Sequence, residues 1–190
     1  MSDTEVGVEY WEELIDRTTG EALFTRVRCV PLDPDAPAPE PTPDPPSPAS
    51  IWDAVPVPTP SVSVNPAGEG VTGLETWLWL EGTTSLDVGP LSLDGWSVTA
   101  TATVERIVWD MGDGGSTSAA RAGGPFDPAA SYTYETKSGA APYTLSVTTR
   151  WRGSATISGF GVTLTEDLGT VTTTGSRAYD VDEIRSVLIE

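Results

Sequence analysis

Histidine is missing from this chain of 190 residues. Its absence removes the Ser–His and Cys–His nucleophilic systems, the commonest metal ligand, and the side chain that titrates near neutrality. Paired carboxylates remain formally available for catalysis, but nothing in the spacing of the acidic residues favours such a pair. The chain is therefore read as a non-enzyme. Cysteine occurs once, at Cys29, so no internal disulfide can form. Cys29 is either a small buried or half-buried residue or a thiol whose partner lies on another chain or an upstream segment. Basic residues are scarce as well, ten against twenty-eight acidic ones, for a formal net charge of −18. That balance leaves no basic footprint for nucleic acid and disfavours anionic membrane surfaces. No stretch approaches the ~18–20 apolar residues that span a bilayer. The first residues, MSDTEVGVEYWEEL, have neither the basic nor the apolar region of a signal peptide, so no export signal is visible in this chain.

What is present is uneven along the chain. Apolar residues make up 38%, a modest supply offset by seven tryptophans, since one large aromatic buries roughly 150–250 Å². A core is expected for part of the chain only. Residues 6–15 and 22–30 read as two strands joined by Asp16-Arg17-Thr18-Thr19-Gly20, whose turn chemistry allows a tight reversal. Arg26 and Arg28 are then expected to face Glu12 and Glu13 across the ladder. This hairpin arm, residues 1–30, is too small to be stable alone and needs something to pack on.

Residues 31–66 read as a proline-rich acidic linker. Between Pro31 and Pro48 every second or third residue is proline, with Asp33, Asp35, Glu40 and Asp44 interleaved. Proline fixes φ and removes the backbone donor, so neither helix nor central strand forms there. Repulsion between the carboxylates extends the segment further. Its plainest role is a spacer, and the basic flanks usual for proline-rich ligands of aromatic grooves are absent. Near residues 48–55 a short helix is expected, with Ser47 as N-cap and Pro48 in the first turn. Ile51, Trp52 and Val55 would form its docking side.

Residues 67–190 change character. Leu74–Leu80, Ser97–Arg106, Tyr143–Trp151, Ala155–Ile157, Val162–Leu164 and Val171–Thr174 are short threonine-rich or apolar runs with glycine punctuation. That pattern predicts an all-β fold, a β-sandwich. The segment from Val181 to Leu188 fits a strand or a short helix.

One motif resembles a known family. Trp109-Asp110-Met111-Gly112-Asp113-Gly114, followed by Tyr132-Thr133-Tyr134 and then Tyr143-Thr144-Leu145-Ser146-Val147-Thr148, is similar to the PKD (polycystic kidney disease) domain. Met111 stands where that family usually has phenylalanine, and Tyr132 where histidine is common. The resemblance covers about residues 84–177. The wider layout, with Trp52 in Ile-Trp-Asp-Ala-Val-Pro and Trp77 and Trp79 in Gly-Leu-Glu-Thr-Trp-Leu-Trp, looks like poorly characterised bacterial surface or secreted proteins carrying one such domain. The resemblance implies an immunoglobulin-like sandwich, an extracellular or cell-surface location, and a role in adhesion, spacing, or protein and glycan contacts.

The residues themselves predict that Trp109 fills the space between two sheets. Asp110 and Asp113 cap backbone N–H groups while Gly112 and Gly114 take positive φ. Calcium on Asp110 and Asp113 is the alternative, but two carboxylates are few for a cation wanting six to eight oxygens. No other cofactor is expected. Trp11, Cys29, Trp52, Trp77 and Trp79 are the candidate partner contacts. The expected function is a structural or interaction module of a cell-surface or extracellular assembly, joining a protein partner or further copies through its arm. The alternatives are a carbohydrate-binding accessory module and a virion decoration or tail protein.

Overall fold

The structure, a computed structural model, describes residues 7–15, 22–31 and 42–184. It divides into two compact units, residues 1–42 and 43–190.

The first unit is an antiparallel hairpin of β1 (Gly7–Ile15) and β2 (Ala22–Pro31). The register sets Glu12 opposite Arg26, as charge pairing demands. It sets Glu13 opposite Thr25, however, and Arg28 opposite Tyr10, so the expected Arg28–Glu13 pair does not form across the ladder. A ladder advances one residue on each strand at a time in opposite senses, so two arginines spaced by two cannot both oppose adjacent glutamates. The turn read at Asp16–Gly20 and the prolines of 32–41 lie outside the described residues.

The second unit contains α1 (Pro48–Ala54), β3 (Ser61–Asn65), β4 (Glu69–Val71), β5 (Glu75–Glu81), β6 (Ser85–Leu93), β7 (Trp96–Asp110), β8 (Ser116–Ala119), β9 (Ala130–Thr133), β10 (Tyr143–Gly159) and β11 (Val162–Asp182). The larger sheet has the order β4-β11-β10-β7-β6, with β8 also paired to β7. The smaller one is β3-β5-β9. They pack face to face as an all-β sandwich around Val64, Leu78 and Leu80 of the small sheet and Ile107, Trp109, Leu145, Val147 and Val181 of the large one.

Several runs read as separate short strands are parts of two long ones. β10 and β11 have 17 and 21 residues, well beyond the usual 3–10 or so. Phe160 and Gly161, both at positive φ, turn one into the other. The residues from Val181 resolve in favour of strand as far as Asp182.

The length of β10 has a consequence for the core. Its odd-numbered residues from Leu145 to Ile157 stay buried without a phase change, so they mark one continuous face. The small sheet covers only the part of this face around Leu145 and Val147. The part around Ala155 and Ile157 has a different lid: Ile51 and Val55 from α1 and its end pack there with Trp96, Val98, Ala100 and Leu168. β7 spans both regions and carries a bulge at Glu105, where Arg150 pairs with Arg106 but Trp151 with Val104. One inserted residue flips the alternation. Accordingly even-numbered residues from Trp96 to Ala102 point inward before the bulge, and Ile107 and Trp109 after it.

This second lid corrects the linker reading for residues 43–66. Pro48 and a Ser47 N-cap that accepts from the Ser50 N–H start α1 as expected. The segment from Pro43 onward belongs to the sandwich unit, and β3, also within the presumed linker, is a strand of the small sheet. Proline density could not signal that residues 43–66 supply a helix and a strand to the sandwich.

Candidate functional site

The Trp109–Gly115 segment is held by bonds from several directions. Trp109 ends the inward run of β7 and is fully buried, and Met111 just beyond it is buried too. Asp110 Oδ1 accepts from the Gly112 N–H at 2.9 Å, and Asp113 Oδ1 accepts from the Gly115 N–H at 2.9 Å. The second oxygen of Asp113 accepts from the Tyr132 hydroxyl at 2.9 Å. Tyr134 donates to the Met111 carbonyl at 3.1 Å, and the Met111 N–H bonds the Gly115 carbonyl. Gly112 is required here: φ is 78°, and a Cβ would stand 2.8 Å from the Thr144 backbone.

The three tyrosines of the motif lie together. Tyr143 stacks on Tyr134 with ring centroids 5.4 Å apart, and Tyr132 meets Tyr134 edge-on at 5.1 Å. Burial pushes the Tyr134 phenol well above its ordinary value, aided by the nearby Asp113 charge. Burial raises Tyr132 as well, followed by its bond to Asp113. Tyr143 reaches the carbonyls of Thr136 and Lys137 with its hydroxyl. The motif is thus a cross-braced turn at one end of the core. Among the described residues no group of three or more His, Cys, Asp or Glu side chains is arranged to hold a metal ion.

The tryptophans read as partner contacts divide into three cases. Trp52 faces its own domain: it donates to the Leu168 carbonyl at 2.8 Å and lies over Gly153, where a Cβ would come within 2.7 Å of its ring. It is therefore a clamp for α1, which the sequence did not reveal because a helical docking side does not name its receptor. Trp11 and Cys29 stand opposite Val27 and Glu9 in the hairpin register. Val27 is 47% exposed.

Trp77 and Trp79 form the third case. β5 alternates with Thr76, Leu78 and Leu80 buried, so both indoles lie on the outer face of the small sheet, half-buried. Asn65 and Ser131 flank Trp77 on the two neighbouring strands, and Ser63 flanks Trp79. Glu75 fixes the first ring by accepting from its Nε1 at 2.8 Å. The neighbouring Ser131 hydroxyl, followed by the Trp77 indole, holds this carboxyl below the usual carboxylate range. Glu75 and Ser131 were not singled out from sequence, although the run Glu-Thr-Trp-Leu-Trp-Leu-Glu contains the alternation that turns both tryptophans outward.

Compared with protein-family models, curated proteins and solved structures, the chain matches none.

Proposed function

We propose that this chain is a non-enzymatic interaction module of a cell-surface or extracellular assembly, with the β1–β2 hairpin as joining element and the sandwich as the rigid body it carries. The observation that supports this reading is the hairpin's separateness. It forms its own compact unit with a single ladder, so β1 and β2 each keep one edge without a partner among the described residues. An unpaired strand edge is a row of free N–H and C=O groups that another chain can complete. A two-stranded hairpin also gains most of its stability from whatever it packs on.

The resemblance of Trp109–Gly114 to the PKD domain supports an immunoglobulin-like, extracytoplasmic scaffold. The bracing of Asp110 and Asp113 fits a structural duty for that motif better than calcium binding. The net charge of −18 limits non-specific association.

Photo-crosslinking in the producing cell tests the reading. A crosslinker at Glu9 or Arg28 in the hairpin should trap a defined protein, whether another copy or a different chain. One at Thr101 or Thr156 on the outer face of the large sheet should not. Trapping from the sandwich alone, or from neither place, overturns the proposal.

A further inference from the structure

The outer face of the small sheet has the make-up of a binding platform, independent of the hairpin. β5 is the central strand, bonded to β3 on one side and β9 on the other; Trp77 is paired on both sides, to Asn65 and Ser131, and Trp79 to Ser63 of β3. Alternate residues of a strand stand on one face about 7 Å apart. Around the two indoles the cross-strand neighbours are small and polar: exposed Asn65 and Ser131 beside Trp77, and a buried Ser63 beside Trp79. The charged groups of β5 are confined to its two ends, Glu75 and Glu81.

We propose that this face binds a neutral polysaccharide chain, with sugar rings stacked on Trp77 and Trp79. A pyranose presents a face of C–H bonds to an indole and a rim of hydroxyls to whatever surrounds it. Two half-buried indoles, with an exposed amide and an exposed hydroxyl beside the first, meet both needs at once. Peptide partners of an aromatic surface would want a groove or an open edge, whereas β5 has neither edge free. The Glu75 bond to the Trp77 indole holds that ring in place before any ligand arrives, which lowers the ordering cost of binding. Charge narrows the ligand class further. Carboxylates at both ends of the strand, in a chain of net charge −18, repel acidic polysaccharides.

The test is affinity electrophoresis of the full chain in native gels containing hydroxyethyl cellulose, arabinoxylan, galactomannan, glycol chitin or soluble starch, with polygalacturonate as the acidic comparison. At least one neutral polymer should retard the chain and polygalacturonate should not. Trp77→Ala and Trp79→Ala should each weaken retardation about tenfold, the equivalent of one lost contact of roughly 1.4 kcal/mol. Phe126→Ala, which removes an aromatic side chain 96% exposed elsewhere on the sandwich, should change nothing. Because a tryptophan variant could lose stability, Ser131→Arg provides a second route. It adds bulk beside Trp77 from an exposed position and should abolish retardation in a folded chain. Retardation by none of the neutral polymers overturns the proposal. So does retardation that survives Ser131→Arg or the double tryptophan variant, or that extends to polygalacturonate. The hairpin reading is untouched by any of these results.

Discussion

The indole N–H of Trp52 donates to the main-chain carbonyl of Leu168 at 2.8 Å, joining a proline-framed segment to a strand 116 residues further along. Together with the buried Ile51 and the bond from Trp96 Nε1 to the Asp44 carbonyl, it makes residues 43–60 a structural part of the sandwich.

Ile51→Ala should therefore destabilise the sandwich by about 2–5 kcal/mol, the range for emptying a closed aliphatic site. Equilibrium urea unfolding measures it. A loss below about 0.5 kcal/mol, the size of an ordinary surface substitution, would mean that α1 does not cover the second core.

Trp109 serves the first core. Trp109→Ala should cost about 3–5 kcal/mol in the same measurement. A cost under about 1 kcal/mol would place its ring outside the inter-sheet space.

The two cores differ in how legible they were. Trp109 could be placed from sequence as a large aromatic that ends a strand at a glycine-rich turn, although the alternation of Ser97–Arg106 carried through the Glu105 bulge would have turned it outward. The caps from Asp110 and Asp113 followed from residue type and spacing alone. The second core could not be placed so. Its floor is a long strand whose phase is broken at Glu105, and its lid comes from a segment whose composition reads as a spacer. Local pattern reports what a segment can bury, whereas the receptor is set by topology. The outward aim of Trp77 and Trp79 was legible in the alternation of β5, but Glu75 and Ser131 become neighbours only through the pairing of β5 with β9.

Asp113 has both carboxylate oxygens engaged by protein donors, the Gly115 N–H and the Tyr132 hydroxyl. Asp113→Ala should cost about 1–3 kcal/mol, because two partly buried donors lose their acceptor. Millimolar calcium should leave the melting temperature of the parent chain unchanged, since a ligand that does not bind adds no linkage. A rise of several degrees with calcium, lost in Asp113→Asn, would make this turn a cation site instead.

Alkaline pH should weaken the sandwich. The phenols of Tyr132, Tyr134 and Tyr179 are all raised, burial being the first cause for each. The folded state therefore keeps protons that the unfolded chain gives up near pH 10. Their contribution is fully present below that pH and is lost as pH rises towards their folded values. Thermal melts should be flat to about pH 9 and fall above about pH 10, and phenolate absorbance should grow as near-ultraviolet dichroism is lost. Tyrosine ionisation completed near pH 10 with that dichroism intact would contradict the packing described for these rings.

If association belongs to the hairpin and folding to the sandwich, removing residues 1–42 separates the two. The cut falls at the boundary between the two compact units and spares the Asp44 carbonyl that receives Trp96. The full chain and the shortened chain are each expressed in the producing cell, and their sedimentation is compared in gentle extracts. The full chain should sediment within a larger complex, while the shortened chain should sediment as a monomer with an unchanged melting temperature. A shortened chain that still enters the complex, or a full chain that sediments alone, would contradict the account.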